Sequence, residues 1–175
     1  VSGNNFVYYV EGDPKVVVSP DTYVVRGVAQ KQRDTFKVWE HGCSPCFVLE
    51  ITSKSSRHTD LGAKMSRYRD DLQVPEYFLF DPRAEWIGER LRGYVLADPG
   101  TYRPIERNER DRLLSTELGL ELGVVDGHLR FFRPGEEKPL PTRAEGAQRA
   151  EREAQRADAA EAEIERLKAE IKRLS

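Results

Sequence analysis

Three charged residues occur in segments of the chain that are otherwise apolar. Asp21 follows a valine-rich run, Glu50 lies in the most apolar run of the chain, and Lys64 lies on the apolar side of a helix-forming segment. A lone buried carboxylate is costly unless it is paired or binds a metal. Two carboxylates and one ammonium group that converge on one point would remove that cost and would form a site.

Such a site suits the hydrolysis of a phosphodiester, which needs a polarised phosphoryl group and a deprotonated water. A divalent metal held by hard oxygen ligands supplies both, and a nearby ammonium group stabilises the charge that develops on the phosphoryl oxygens. Each residue also has a purely structural interpretation. Asp21 fits a turn, Glu50 fits a solvent-facing strand end, and Lys64 fits the edge of a helix stripe.

The elements that must position these residues form a strand, a helix and a second strand. Residues 46–51 and 76–80 are apolar runs of the length of central strands. Between them, a polar connection at 52–59 leads to Asp60, which we expect to cap a helix that ends near residue 72. The predicted buried stripe of that helix consists of Leu61, Met65, Tyr68 and Leu72. This order predicts two parallel neighbouring strands joined by a helical crossover.

The rest of the chain is predicted to be mostly β. Strand patterns occur at residues 6–10, 16–18, 23–25, 93–96, 102–105, 120–125 and 129–132, and residues 26–42 are expected to form a loop. Asp126 and Gly127 form the strongest hairpin signal. The expected fold is α/β, with a mixed sheet around the strand–helix–strand unit, in a domain that spans residues 1–142.

The motifs around these residues resemble those of the Uma-type restriction endonuclease family, which belongs to the PD-(D/E)XK nuclease superfamily. The motifs are Ser-Pro-Asp21, a Glu50-x-x-Ser in an apolar strand, an Asp60-x-x-x-Lys64-x-x-x-Tyr68, and Val-Pro-Glu-Tyr-Phe-Leu-Phe-Asp-Pro at residues 74–82. Each is short, but together they are specific, and the resemblance extends over about residues 6–132.

The resemblance implies a metal-dependent endonuclease with a restriction-endonuclease-like fold. Asp21 and Glu50 would bind Mg²⁺ or Mn²⁺, with the carbonyl of Ile51 as a third ligand, and the substrate would be nucleic acid, with DNA favoured. The superfamily pattern places a lysine two residues after the second acid, where this chain has Thr52. The resemblance favours Lys64, from the following helix, as the replacement, and Lys54 is the competitor. The family's N-terminal helix is absent from the sequence, so we expect a further N-terminal segment in the natural protein.

The departure at Thr52 leaves a second function open. The domain could be a catalytically silent nuclease-like module that binds nucleic acid or a protein partner. Retention of Asp21, Glu50 and Lys64 favours the enzyme, and a divalent metal bound between Asp21 and Glu50 would decide between the two.

Charge and composition exclude several other functions. The net charge of −2 excludes a module that binds nucleic acid through bulk positive charge, and the best local cluster, Arg103, Arg107, Arg110 and Arg112, is interrupted by acidic residues. No run of apolar residues is long enough to span a membrane. Cys43 and Cys46 lack a second ligand pair, so we expect reduced thiols without zinc and, from that, a cytoplasmic protein.

The last part of the chain, residues 143–175, reads as a helical tail after a proline-containing linker at 134–141. Helix-forming residues are continuous from Ala147. Apolar residues three and four apart form a heptad pattern, with 157, 164 and 171 at a positions and 160, 167 and 174 at d positions. The pattern predicts a coiled coil, and a homodimer through it. The alternative is a single solvated helix stabilised by ion pairs between its own residues.

Overall fold

The computed structural model describes residues 1–29, 31, 33–98 and 100–174. The chain divides into two compact units, Val1–Pro139 and Leu140–Ser175. The strands are β1 (Phe6–Tyr8), β2 (Val17–Val18), β3 (Thr22–Val24), β4 (Thr35–Lys37), β5 (Phe47–Ile51), β6 (Glu76–Phe80), β7 (Leu91–Asp98), β8 (Thr101–Pro104), β9 (Leu113–Ser115), β10 (Leu120–Val125) and β11 (His128–Phe132). The helices are α1 (Val38–His41), α2 (Arg57–Thr59, continuing through Asp60–Lys64 and Arg67–Asp71) and α3 (Arg143–Leu174).

The largest sheet of the first unit has the order β3-β5-β6-β7-β8. β5 and β6 are parallel, whereas the other neighbours in this sheet are antiparallel. The parallel pair is joined by α2, so the predicted strand–helix–strand unit is confirmed. Two smaller sheets, β2-β1-β4 and β11-β10-β9, complete the unit. The mixed sheets and the C-terminal helix confirm the expected α/β, restriction-endonuclease-like fold.

The central sheet is buried on both faces, because alternate residues of β5 and β6 enter two different cores. Val48, Tyr77 and Leu79 pack with Tyr68 and Leu72 of the α2 segment and with residues of the β2-β1-β4 sheet. Phe47, Leu49, Phe78 and Phe80 pack with Leu113 of β9 and Leu122 of β10. Glu50 continues the alternation of Val48, so its side chain lies on the face covered by α2.

Helix α2 differs from the prediction at its start and in its stripe. It begins at Arg57, and Asp60 is a buried residue inside the helix rather than its N-cap. The turn before the helix is closed by serines instead, with Ser53 N–H donating to the Ser56 hydroxyl at 3.0 Å. Leu61, expected in the buried stripe, is 36% exposed. Two π-helical stretches change the angular spacing, which moves Leu61 off the face that carries Tyr68 and Leu72.

The segment expected to be a loop at residues 26–42 contains β4 and α1. β4 pairs in parallel with β1, so a strand too short to give a pattern is fixed by its partner. The sequence also gave no signal for β9, which pairs with β10. The hairpin at Asp126 and Gly127 is confirmed: β10 and β11 are antiparallel, and both turn residues have positive φ, 51° and 77°.

The second unit contains α3, which begins at Arg143, ahead of the predicted Ala147. Thr142 and Glu145 explain the earlier start, because they form a capping box. Thr142 N–H donates to Glu145 Oε2 at 2.7 Å, and Glu145 N–H donates to Thr142 Oγ1 at 3.2 Å. Ile164, Leu167 and Ile171 of the heptad pattern are 51%, 47% and 65% exposed. The side chain of residue 174, and residue 175 as a whole, lie outside the described residues, and the coiled coil stays a prediction.

Within the described part of the chain, no helix combines the length and the apolarity that crossing a membrane requires.

Candidate active site

Glu50 is the centre of the candidate site. It lies near the carboxyl end of β5, and its side chain is 0% exposed. Three groups donate hydrogen bonds to its carboxylate. The Tyr68 hydroxyl donates to Oε1 at 2.6 Å, and the Lys64 ammonium group donates to Oε2 at 2.9 Å. The backbone N–H of Asp21 donates a longer bond to Oε2, at 3.3 Å. A solvent-facing strand end, the structural interpretation of Glu50, is therefore wrong.

The electrostatic state of Glu50 reflects its burial. Removal from water raises the pKa of the Glu50 carboxyl from 4.5 to about 7, although Tyr68 and Lys64 favour the charged form. The negative charge of Asp21 adds to the rise. Burial is the main reason why the pKa of the Tyr68 phenol lies far above its usual range, and the charge of Glu50 adds to the rise. Glu50 is consequently a carboxylate whose charged form needs compensation from its neighbours.

Asp21 is locked to the end of β5 by two reciprocal hydrogen bonds. Its backbone N–H reaches Glu50, and its Oδ2 accepts the backbone N–H of Ile51 at 2.7 Å. The segment before β1 packs closely against the backbone of Asp21. A Cβ on Gly3 would lie 2.1 Å from the carbonyl oxygen of Asp21. Only a glycine allows that approach. Asp21 and Glu50 therefore lie side by side at the end of β5.

Lys64 reaches the site from α2 and bridges two carboxylates. Its ammonium group lies 2.9 Å from Glu50 Oε2 and 3.3 Å from Asp60 Oδ1, and its side chain is 20% exposed. Burial lowers the pKa of the Lys64 ammonium group, but Glu50 and Asp60 outweigh that effect, so the pKa is raised. Lys54, the competing lysine, lies in the turn after β5 and is exposed. β5 ends at Ile51, so strand alternation does not extend to residue 54.

Two residues near Glu50 had no predicted role in the site. Asp60 was expected to cap the helix, but its side chain is 1% exposed and pairs with Lys64. Tyr68 was expected only to fill the core, but its hydroxyl binds Glu50. The signal for Tyr68 was available in the sequence, because a fully buried tyrosine needs a partner for its hydroxyl. The signal for Asp60 was its spacing of four residues before Lys64, which suits an ion pair on a helix.

The donors at this site fit a hard divalent cation by their chemistry. Asp21 and Glu50 supply carboxylate oxygens, Ile51 follows Glu50 directly in the chain and offers its carbonyl, and Mg²⁺ and Mn²⁺ prefer oxygen ligands. Among the described residues, no group of three or more His, Cys, Asp and Glu side chains could hold a metal. A cation here would therefore rest on two side chains, the backbone and its own waters, as is usual for Mg²⁺.

The predicted arginine cluster outside the site is largely held in ion pairs. Arg103 pairs with Asp98, Arg107 with Glu89 and Asp111, and Arg112 with Glu121. Three members of the arginine cluster are thus engaged within the protein. Cys43 and Cys46 are both free thiols.

A mixed α/β domain with two carboxylates and a lysine beside its parallel strand pair belongs structurally with the restriction-endonuclease-like proteins. Comparison with family models agrees: the family Uma2, described as "Putative restriction endonuclease", matches residues 2–130. The chain belongs to this family, whose description suggests a nuclease that acts on nucleic acid. A search of curated proteins gave no match.

Proposed function

We propose that the protein is a metal-dependent endonuclease that hydrolyses phosphodiester bonds of nucleic acid, with DNA as the favoured substrate. The observation that carries the proposal is the environment of Glu50. A carboxylate with 0% exposure lies near the end of a central strand, within 2.9 Å of a lysine and 3.3 Å of the backbone of a second acidic residue. Packing alone gives no reason to bury this charge, since burial disfavours it.

In this proposal Asp21, Glu50 and the carbonyl of Ile51 hold Mg²⁺ or Mn²⁺. The metal supplies polarisation of the phosphoryl group and a more acidic bound water. Nucleases of this fold generally use divalent metals, and we propose that either Mg²⁺ or Mn²⁺ fills the role here. Asp21 is partly exposed, so its carboxylate is the one that meets solvent and substrate first.

The chain's own groups act on charge and orientation. Lys64 presents a positive charge beside Glu50, where it stabilises negative charge on the phosphoryl oxygens during the reaction. Tyr68 fixes Oε1 of Glu50 through a bond of 2.6 Å, which leaves Oε2 as the oxygen that faces Asp21 and Lys64. The raised pKa of Glu50, about 7, means that its charged form depends on these neighbours.

The direct test is cleavage of plasmid and single-stranded DNA by the wild type and by Glu50→Gln, with added Mg²⁺ or Mn²⁺. Glutamine keeps the shape of the side chain and removes the charge, so cleavage should be lost while the fold is retained. Glu76→Gln is the matched control. Glu76 is a carboxylate on the neighbouring strand, 1% exposed, that binds Ser115 and Thr116 on the opposite face of the sheet.

Variants of the two lysines test which of them acts in the proposed reaction. Lys64→Ala should lower the cleavage rate on the order of a hundredfold, comparable to loss of one oxyanion donor, and Lys54→Ala should have much less effect. The opposite result would move the role to Lys54. If the wild type cleaves nothing and Glu50→Gln changes no property except stability, the domain is the silent binding module.

A further inference from the structure

We propose that Asp60 is a positioning residue that holds the Lys64 ammonium group in the orientation needed for catalysis. The inference rests on the proposed function. In it, Asp60 orients Lys64 and does not cap the helix. Asp60 acts through Lys64 and has no contact with substrate.

The Asp60 carboxylate is buried with a single partner. Its side chain is 1% exposed, and its one ion pair among the described residues is with the Lys64 ammonium group, at 3.3 Å. A buried charge with so few partners is unfavourable for folding. We therefore explain the carboxylate by its effect on Lys64.

The backbone holds Asp60 firmly in this place. Its N–H donates to the carbonyl of Ser56 at 2.8 Å, and its own carbonyl accepts the Tyr77 hydroxyl at 2.9 Å. Tyr77 belongs to β6 and is 0% exposed. A hydrogen bond from the sheet therefore holds the helix backbone at Asp60, four residues before Lys64.

Asp60, Lys64 and Tyr68 follow one another at intervals of four residues, which places them on one face of the helix. From that face Lys64 and Tyr68 both bind Glu50. Asp60 pairs with Lys64 from the preceding turn.

This arrangement gives Lys64 a second anchor that is independent of Glu50. In the proposed function Glu50 is engaged in holding the metal, which weakens its hold on Lys64. A long lysine side chain has considerable rotamer freedom, and Asp60 removes that freedom at the moment when Glu50 has another partner. Loss of the anchor should therefore lower kcat and leave KM and metal affinity unchanged.

The test compares Asp60→Asn, Asp60→Glu and Lys64→Ala with the double variant Asp60→Asn/Lys64→Ala. Asp70→Asn is the matched control, since Asp70 is an exposed acid of the same helix that pairs with Arg69. We expect Asp60→Asn to lower kcat by roughly ten- to a hundredfold, in the range of a misplaced catalytic group. KM should not change, and Asp60→Glu should restore part of the loss. In the double variant, the effects should not multiply, because Asp60 acts through Lys64.

Mn²⁺ affinity, measured by calorimetry on each folded variant, supplies a readout apart from activity. An unchanged affinity in Asp60→Asn supports the positioning role, whereas a large loss would make Asp60 a metal ligand and overturn it. Multiplicative effects in the double variant, or an unchanged kcat in Asp60→Asn, would also overturn it while leaving the proposed nuclease intact. A wild type that cleaves nothing with either metal would instead refute the proposed function, and the positioning role with it.

Discussion

The pKa of Glu50 predicts an unusual dependence of stability on pH. In metal-free protein, the folded chain should lose stability as the pH rises from about 4.5 to about 7. Below this range Glu50 is protonated in both the folded and the unfolded state. Within the range the unfolded chain releases the proton while the folded chain retains it, so deprotonation favours unfolding. Above about pH 7 both states are charged and this contribution no longer changes.

The size of the effect follows from the difference between the two pKa values. One pKa unit corresponds to about 1.4 kcal/mol, so a rise from 4.5 to about 7 corresponds to a loss of about 3 kcal/mol across the range. Glu50→Gln removes the titrating group. The free energy of unfolding of the wild type minus that of Glu50→Gln should thus fall by about 3 kcal/mol between the two ends of the range.

The assay is urea unfolding of both proteins in a chelating buffer at several pH values from about 5 to about 8, followed by circular dichroism. Subtraction of the variant removes the contributions of all other titrating groups, provided that they are the same in both proteins. A difference that stays flat, or that rises with pH, would refute the reasoning, because it would mean that Lys64 and Tyr68 fully compensate the buried charge.

Three further predictions concern the same site and the tail. Tyr68→Phe keeps the ring and removes the hydrogen bond to Glu50. Near pH 8, where Glu50 is charged, it should lower the free energy of unfolding by about 2 kcal/mol, as expected for a hydrogen bond to a charged group. Urea unfolding measures this loss, and an equally large loss near pH 5 would contradict the assignment. Millimolar Mg²⁺ should raise the melting temperature of the wild type but not of Glu50→Gln, and equal shifts would argue against a metal at Glu50. Removal of residues 143–175 should leave a folded first unit with fewer subunits per particle by light scattering, and an unchanged subunit count would refute dimerisation through the tail.

The main features of the site follow from the sequence because they rest on strong local signals. Glu50 interrupts an otherwise apolar run, and strand alternation assigns its side chain to one face of the sheet. The parallel arrangement of the two strands follows from the helix between them. Lys64 follows from its position among apolar residues of that helix. These expectations depend on patterns within a few residues, which sequence carries well.

The features that were missed depend on contacts between distant segments. β4 and β9 are three residues long and form because β1 and β10 offer free edges, which no local pattern reveals. Asp60 was interpreted as a helix cap because aspartate is common there. Its backbone is held in the helix by Tyr77, seventeen positions further along the chain, whose hydroxyl binds the Asp60 carbonyl. The exposure of Leu61 depends on π-helical stretches, which hydrophobic spacing does not predict.

The threonine at position 52 and the lysine on α2 are two parts of one arrangement. Thr52 is 2% exposed, and its backbone N–H extends the pairing one residue beyond β5 by donating to the Phe80 carbonyl at 2.8 Å. Alternation from Glu50 would turn the side chain of residue 52 to the face covered by α2, so a lysine there would compete for the space next to the Glu50 carboxylate. Lys64 already occupies that position at 2.9 Å, with Asp60 behind it. Two ammonium groups beside one carboxylate would repel each other, so a lysine on the helix makes a lysine on the strand unfavourable. The threonine at position 52 is therefore compatible with a lysine on the helix, and by itself it does not favour the silent binding module over the proposed nuclease.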